Sequence, residues 1–261
     1  MLIDLHVHSK ATAGGSLEPA QVVARAAQLG LDGVAFTDLN TLGGAAEILG
    51  AAREGVAVFV GTELATDHGH FLAFFPEPSS VPEPSQLFGD TRQNVWAVRE
   101  VLEKVAQLGG VAIAAHPYDR DVDRPAGDYI FTLKDRLAAL EGLNARRKPG
   151  VNDLAVEASE HMGLPCTGGS GAVNALEEVG KAATFFPGKF STHAELVAAL
   201  RAGKFFPVGA GRPAPLSELA RAPKNTGERF ERGGGGDRDR DRRGGRRGGG
   251  RGRPGGGRGR R

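Results

Sequence analysis

Two histidines near the start of the chain, His6 and His8, are spaced so that both can bind one metal ion. They lie in residues 2–9, a short and largely apolar segment that predicts a buried β-strand with polar residues at its C-terminal end. Side chains two residues apart in a strand point to the same face, so we expect His6, His8 and Asp4 to share one face. A His-x-His pair alone is also typical of ordinary surface or core histidines, so further ligands must come from elsewhere in the chain.

Other side chains that can bind a metal follow later apolar segments. They are Asp38, Glu63, His116 and Asn144, with His68 and His70 shortly after Glu63. The C-terminal ends of parallel strands meet at one rim of an α/β barrel, so we expect these side chains to gather beside His6 and His8. A rim of imidazole and carboxylate groups can bind Zn, Mn or Fe, and one carboxylate, such as that of Glu63, can bridge two ions.

Apolar and helical segments alternate along residues 1–212, which is the pattern of parallel strands joined by helices. The predicted strands are residues 2–9, 33–38, 56–60, 71–75, 111–115, 140–143, 164–167 and 182–186. The predicted helices are residues 16–29, with Ser16 as N-cap, 41–53, 91–108, 133–137, 152–162 and 192–202. Residues 71–75 are expected to form a hairpin strand at the edge of the third unit. The other predicted strands give about seven parallel βα units. The predicted fold class is therefore α/β, an irregular TIM-like (βα)7 barrel.

Length and composition fit one folded domain with an appendage. A chain of 261 residues with 40% apolar content can bury one large α/β core. The single cysteine, Cys166, excludes an internal disulfide and suits a reducing cytoplasm. No signal-peptide pattern follows Met1, and no apolar run approaches membrane-spanning length. We therefore expect a cytoplasmic protein with no membrane partner.

Residues 233–261 differ sharply in composition from the rest of the chain. They contain only Gly, Arg, Asp and Pro, with eleven arginines and three aspartates, and so carry a net charge of +8. Since the whole chain carries +2, residues 1–232 carry −6. A segment without apolar surface to bury is predicted to be disordered. We therefore divide the chain into a barrel, residues 1–212, a linker, 213–232, and a disordered Arg/Gly-rich tail, 233–261.

The arginines of this tail predict binding to RNA or another nucleic acid. Guanidinium groups contact phosphates and stack on bases, while glycines let the chain follow an irregular strand. Binding would be mostly electrostatic, because the tail has no Phe or Tyr to stack on bases. The predicted contact residues, in RGG-like repeats, are Arg243, Arg246, Arg247, Arg251, Arg253, Arg258 and Arg260. The alternatives are a solubilising tail and contact with acidic proteins or with the acidic barrel itself.

Five motifs occur together, and in this order, in a known protein family. They are residues 4–9, Asp-Leu-His-Val-His-Ser; 36–40, Phe-Thr-Asp-Leu-Asn; 61–63, Gly-Thr-Glu, with Gly69-His70; 115–117, Ala-His-Pro; and 169–173, Gly-Ser-Gly-Ala-Val. Over roughly residues 1–210 the chain resembles the PHP family, named for polymerase and histidinol phosphatase. The resemblance implies a seven-unit βα barrel with metal ions at its C-terminal rim, usually a hydrolase of phosphoesters.

The chain departs from the family pattern at four positions. Ala13 stands where the family has an acidic residue, and Leu39 stands where it has histidine. Gly171 and Val173 replace the acid and the histidine of a Ser-Asp-x-His motif. The resemblance implies that Ala13, Leu39 and Val173 erase one of the family's three metal positions, and that Gly171 removes one carboxylate from the first.

The surviving ligands imply two metal positions. Carried over residue by residue, His6, His8 and Glu63 remain for the first ion. Glu63 and His116 remain for the second, with His70 as a further candidate. We therefore expect one or two divalent ions, Zn, Mn or Fe, rather than three.

Two functions fit this sequence. The first is a PHP-like metal-dependent phosphoesterase that acts on a nucleic-acid or nucleotide phosphate and is tethered to RNA by its tail. In that case Asp38 or Asp4 would orient a ligand or accept a proton. The second is a catalytically degenerate barrel that serves as an RNA-binding or scaffold protein, which the apolar side chains of Leu39 and Val173 favour.

Basic and imidazole side chains outside the motifs have less specific interpretations. His161 and His193 fall in predicted helices and are interpreted as solvated surface. Several basic side chains either hold a phosphate at the mouth of the barrel or form ordinary surface. They are Arg120, Arg124, Arg146, Arg147 and Lys148.

Overall fold

Nine strands form one sheet in the structure, a computed structural model that describes residues 1–89 and 95–209. The strands are β1 Leu2–Val7, β2 Gly33–Leu39, β3 Ala57–Thr66, β4 Gly69–Phe74, β5 Val111–Ala115, β6 Ala139–Asn144, β7 Cys166–Gly169, β8 Ala182–Phe185 and β9 Phe206–Gly209. Their order across the sheet is β7-β6-β5-β4-β3-β2-β1-β8-β9. The predicted linker, 213–232, and the predicted tail, 233–261, lie outside the described residues.

Helices connect most of these strands. The α-helices are α1 Pro19–Gln28, α2 Ala45–Gly50, α3 Pro84–Phe88, α4 Val98–Gln107, α5 Pro149–Met162 and α6 His193–Ala202. Shorter 3₁₀ segments are Pro78–Ser80, Gly127–Arg136 and Leu176–Glu178. Apolar residues of α1 pack with β2 in one core cluster, those of α4 pack with β4 in a second, and those of α6 pack with β1 in a third. Within the described residues, we find no helix with the length and apolarity that a bilayer crossing requires.

The sheet curves until its two sides nearly meet. The segment after β7 returns to β1, where the N–H of Gly171 donates to the carbonyl of His6 at 2.7 Å and the N–H of His8 donates to the carbonyl of Ala172 at 2.8 Å. On the β8 side, the hydroxyl of Thr184 donates to the carbonyl of Gly168 at 2.9 Å. The predicted fold, an irregular TIM-like α/β barrel, is therefore confirmed.

The prediction of seven parallel βα units is wrong for the seventh predicted strand, residues 182–186, which corresponds to β8. The sets β1–β2–β3 and β5–β6–β7 are parallel, but β4 runs antiparallel between β3 and β5, and β8 runs antiparallel to β1. Only two residues, 67–68, join β3 to β4, and a connection that short permits only an antiparallel pair. β4 is a hairpin strand as predicted, but it lies inside the sheet and not at an edge. The last strand, β9, has no counterpart among the predicted strands.

Several helices are shorter than predicted. α1 begins at Pro19 and not after a Ser16 cap, because the Ser16 hydroxyl donates to Oδ1 of Asn174 at 3.0 Å instead. The predicted helix 41–53 shrinks to α2, and residues 133–137 belong largely to a 3₁₀ segment. α4 begins later than the predicted 91–108, of which residues 91–94 lie outside the described residues.

A bulge in β1 changes the predicted facing of its side chains. The register of β1 against β2 shifts between Asp4 and Val7. Ile3 and Leu5 pack in one core cluster, whereas Val7 packs in another, which simple alternation along a strand would not produce. Because of the bulge, the side chain of His6 lies at the C-terminal rim of the barrel and that of Asp4 does not. The expectation that Asp4 shares the face of the histidines is therefore wrong.

Candidate metal centre

The C-terminal ends of the parallel strands enclose a cavity of about 210 Å³. All five predicted metal ligands contribute to its lining: His6, His8, Glu63, His70 and His116. They are delivered by β1, β3 and β4 and by the residues that directly follow β1 and β5. The cavity therefore brings together five candidate ligands that are up to 110 residues apart in sequence.

Glu63 lies between two pairs of imidazoles. Its Oε2 atom is 3.1 Å from Nε2 of His8 and 3.4 Å from Nε2 of His6. Its Oε1 atom is 2.8 Å from Nδ1 of His70 and 3.1 Å from Nε2 of His116. His70 is half-buried and the other four side chains are buried. One carboxylate thus faces two ligand clusters, which is the arrangement of a bridging ligand.

Hydrogen bonds fix the ring of His8. The Thr12 hydroxyl donates to Oδ1 of Asp38 at 2.7 Å and accepts the N–H of Leu39 at 3.0 Å. Its remaining lone pair faces Nδ1 of His8 at 3.0 Å, so Nδ1 must carry the proton. The Nε2 atom of His8, which faces Glu63 and His6, is therefore the ring nitrogen that is left for a metal ion.

Glu141, in β6, fixes the orientation of the His6 ring. Its Oε1 atom accepts the Nδ1–H of His6 at 2.8 Å, so Nε2 of His6 turns toward Glu63. Its Oε2 atom accepts the backbone N–H of His116 at 3.0 Å and the side-chain amide of Asn144 at 3.1 Å. A carboxylate on the far nitrogen of a ligating histidine sets the ring's orientation and raises its basicity.

The donor set fits a divalent ion. Ligand atoms at about 2.0–2.1 Å from one tetrahedral ion are roughly 3.3 Å from one another. Nε2 of His6 and Nε2 of His8 are 3.1 Å apart, and both are 3.1–3.4 Å from Oε2 of Glu63. A second group, Glu63, His70 and His116, is also close enough to share an ion. Nitrogen and carboxylate ligands of this kind suit Zn, Mn or Fe.

The buried charges at the centre stabilise one another. Burial raises the pKa of Glu63, but the positive charges of His6 and His70 and a hydrogen bond from His116 outweigh burial and hold that pKa well below its usual range. Burial likewise lowers the pKa of His6, but the carboxylates of Glu141 and Glu63 prevail and raise it to about 10. Without an ion, His6 is therefore an imidazolium at neutral pH, and an ion that binds at Nε2 displaces a proton.

Asp38 and Asp4, which we proposed as catalytic, are both hydrogen-bonded to other groups of the protein. Asp38 accepts the N–H and the hydroxyl of Ser9 at 2.6 and 2.7 Å, in addition to the hydroxyl of Thr12. Asp38 thus acts on His8 only through Thr12, which corresponds to the orienting role. Asp4 accepts three backbone N–H groups, those of His6, Ser170 and Gly180, and burial raises its pKa to about 6. Asp4 is not among the side chains that line the cavity.

The four positions that depart from the family pattern all line this cavity. They are Ala13, Leu39, Gly171 and Val173. The first, second and fourth present alkyl side chains where the family has ligands for a third ion. A Cβ atom on Gly171 would lie 2.8 Å from the side-chain amide of Asn144. The lining of the cavity therefore includes three alkyl side chains beside its imidazole, carboxylate and guanidinium groups.

Sequence reasoning missed two residues of the centre, Glu141 and Thr12. Glu141 had one visible signal, because it is a buried charge within a short apolar strand segment, and such a charge requires a partner. Thr12 had no local signal. Its role depends on Leu39 and Asp38, which are 26 or more residues away in sequence.

The basic residues predicted for the mouth divide into two groups. Arg146 and Arg147 line the cavity itself. Arg124 lines an adjoining cavity, and Arg120 and Lys148 are exposed. The arginines of the tail that were predicted to bind nucleic acid lie outside the described residues; they are Arg243, Arg246, Arg247, Arg251, Arg253, Arg258 and Arg260.

Three histidines lie outside the centre. His68 stacks on the ring of Tyr129 with centroids 3.7 Å apart, and His161 is exposed on α5. His193 is half-buried, and its Nε2 atom accepts the N–H of Val60 at 2.9 Å, so its interpretation as a surface residue is wrong. Burial lowers the pKa of His193, which keeps the ring neutral and able to accept this bond.

Models of known protein families match two parts of the chain. The model of the PHP domain matches residues 4–120, and a model described as PHP-associated matches residues 149–205. The uncharacterized protein MJ1587 of Methanocaldococcus jannaschii is 32% identical over 168 residues, which cover 60% of this chain and 90% of that protein. The 3′,5′-nucleoside bisphosphate phosphatase of Chromobacterium violaceum is 34% identical over 119 residues, which cover 43% of this chain and only 39% of that enzyme.

A solved structure has the same fold. It is a two-domain protein of Bacteroides vulgatus that contains a predicted PHP-like metal-dependent phosphoesterase. The TM-score is 0.57 at 16% sequence identity, over 80% of this chain and 64% of that protein. At this identity the likeness concerns the fold alone.

Proposed function

Because the chain belongs to the PHP family, we propose that it is a metal-dependent phosphoesterase acting on the phosphate of a nucleotide or nucleic acid. The observation that carries the proposal is the position of Glu63, whose two oxygens face two separate pairs of imidazoles. The similarity to a 3′,5′-nucleoside bisphosphate phosphatase supports a nucleotide substrate. The single Cys166 suits the reducing cytoplasm, where we place this activity.

The residues of the chain have distinct parts in this proposal. His6 and His8 would hold one divalent ion, His70 and His116 would hold a second, and Glu63 would contribute to both positions. A divalent ion held there would polarise a phosphoryl oxygen and lower the pKa of a bound water. Glu141 and Thr12 hold the rings of His6 and His8 in the orientation that leaves their Nε2 atoms directed at the cavity.

The test compares the wild-type protein with His8→Ala. Metal per chain is measured by plasma mass spectrometry after loading with Mn or Zn, and hydrolysis is measured with p-nitrophenyl phosphate and a 3′,5′-nucleoside bisphosphate. We expect His8→Ala to lose one ion and at least about 100-fold in hydrolysis, because loss of groups that merely orient a ligand already costs roughly 10- to 100-fold. His161→Ala removes an exposed imidazole from α5 and is expected to match wild type.

Two results would overturn the proposal. The first is a wild-type protein that stays metal-free after loading. The second is equal hydrolysis by wild type and His8→Ala, which would assign the activity to something other than this centre.

We further propose that residues 233–261 tether the barrel to RNA. The support is their charge of +8 and their arginine and glycine content. Deletion of residues 233–261 is expected to abolish binding of a single-stranded RNA at low salt, measured by fluorescence anisotropy. For the full chain, log K should fall with log salt by roughly 0.7 per phosphate contacted.

A variant with lysine at every tail arginine is the matched control for RNA binding. It keeps the charge, so its salt dependence should resemble that of wild type, while it loses the stacking that guanidinium provides. Unchanged RNA affinity after the deletion would remove the tether from the proposal and leave the solubilising role.

A catalytically degenerate barrel that serves as an RNA-binding or scaffold protein is the second candidate. The observation that favours it is the presence of three alkyl side chains, those of Ala13, Leu39 and Val173, in the lining of the cavity. Such a protein would bind RNA through its tail and show no hydrolysis that depends on His8. The measurements above therefore separate the two candidates.

A further inference from the structure

We propose that Arg146 binds the substrate phosphate from the side of the cavity where a third ion is lost. This inference rests on the proposed function, since it assigns a role to a side chain of the same cavity. Arg146 follows β6 and lines the cavity together with Ala13, Leu39 and Val173. Its guanidinium would thus supply a positive charge to a cavity in which three alkyl groups replace metal ligands.

Hydrogen bonding places the Arg146 head beside the substituted motif. Nη1 of Arg146 donates to the carbonyl of Gly171 at 3.2 Å, and Gly171 is the position at which the family's carboxylate is missing. A carboxylate there would compete with a phosphate for the guanidinium. Its loss leaves a backbone carbonyl as the partner, which is a much weaker competitor.

The guanidinium of Arg146 keeps donors for a ligand. Nε of Arg146 is 3.6 Å from Oε2 of Glu178, and Nη1 uses one proton on Gly171. A guanidinium has five N–H donors, so within the described parts of the chain three remain, two of them on Nη2. A pair of parallel N–H groups matches two phosphate oxygens in bidentate geometry.

Arg147 is the neighbouring alternative, but its contacts give it another role. Nη1 of Arg147 pairs with Oδ2 of Asp119 at 3.0 Å, and the Asp119 side chain is only 3% exposed. Such a buried pair neutralises the charge of Arg147 and anchors it. The Arg146 side chain is 39% exposed and its ion pair is longer, so it is the guanidinium that can turn to an incoming anion.

The test measures binding of inorganic phosphate to the full chain, with and without Mn, by isothermal titration calorimetry. We expect Arg146→Ala to weaken phosphate binding roughly 10- to 100-fold, the range for a hydrogen-bonded charged group. Arg146→Lys should lie between Arg146→Ala and wild type. Lys148 is exposed and lies two residues after Arg146. Lys148→Ala also removes one positive charge, and it should bind phosphate as wild type does.

Glu178→Gln distinguishes a binding role from a structural one. It removes the anion that competes for Arg146, so phosphate binding should stay equal or tighten. If Arg146 only stabilises the segment around Gly171 with the help of Glu178, Glu178→Gln should weaken phosphate binding as Arg146→Ala does, and that result overturns the inference.

The outcome also separates this inference from the proposed function. Phosphate binding that depends on Arg146 in a protein without hydrolysis supports the inference while the phosphoesterase proposal fails. Hydrolysis with phosphate affinity unchanged in Arg146→Ala refutes the inference and leaves the phosphoesterase proposal intact.

Discussion

Glu63→Gln is expected to remove metal from both positions of the centre and to abolish hydrolysis. Glutamine retains one oxygen and the size of the side chain, but it cannot present an anionic oxygen to each imidazole pair. The four imidazoles around Glu63 then lose the negative charge that they share. We expect metal content to fall from as many as two ions per chain to less than one, and hydrolysis to fall by more than about 100-fold.

Glu141→Gln is the matched control for this substitution. Both glutamates are buried and both contact His6, so each variant removes one carboxylate charge from the same region. Glu141 meets the Nδ1 side of His6, which faces away from Glu63, and a Gln oxygen there can still accept the Nδ1–H. Metal affinity should therefore weaken by only about 10- to 100-fold in Glu141→Gln, with the number of ions at saturation unchanged.

Metal titration by calorimetry, combined with metal analysis at saturation, checks both variants. If Glu63→Gln binds as many ions as wild type, the carboxylate does not join two positions. If Glu141→Gln loses more ions than Glu63→Gln, the roles of the two glutamates are exchanged, and a site built from His6, His116 and Glu141 must be considered instead.

That the candidate ligands lie together could be predicted, because most of these residues are positioned by local rules. A strand places its last polar residues at the rim, and a parallel sheet gathers those rims together. His116 and Glu63 required nothing beyond this rule, and both line the cavity. His70 is delivered by an antiparallel strand, so the rule does not cover it, and its proximity to Glu63 follows instead from the tight turn between β3 and β4.

The remaining parts of the centre depend on contacts that no local pattern encodes. Glu141 meets His6 across 135 residues of sequence, and the contact exists only once the barrel curves. The sequence alternates apolar and polar residues through Val7, but the bulge in β1 interrupts the corresponding alternation of faces. The side chain of Asp4 therefore contacts the amides of Ser170 and Gly180 and not the predicted face. Both features arise from tertiary packing, which overrides strand periodicity.

Gly171→Asp, which restores the carboxylate of the family motif, is expected to destabilise the fold and not to improve the centre. Gly171 has a φ of +65°, a conformation that costs a residue with a side chain about 1–2 kcal/mol. The new Cβ atom would also lie 2.8 Å from the amide of Asn144. That amide cannot move freely, because it donates to Glu141 at 3.1 Å and accepts the N–H of Arg146 at 3.0 Å.

Urea unfolding of a matched pair separates the two costs of Gly171→Asp. Gly30→Asp places the same side chain at a φ of +71°, where no atom of residues 1–89 or 95–209, apart from its chain neighbours, lies within 4 Å of the new Cβ, so it measures the backbone cost alone. We expect Gly171→Asp to lose about 1–3 kcal/mol more of unfolding free energy than Gly30→Asp, and Asn144→Ala to recover part of that difference when it is combined with Gly171→Asp. If Gly171→Asp and Gly30→Asp lose the same unfolding free energy, the side chain of Asn144 moves aside for the new carboxylate at no cost. With the expected difference, the missing acid is a consequence of how Asn144 packs against Glu141 and Arg146, and restoring that single residue cannot restore the family's full ligand set.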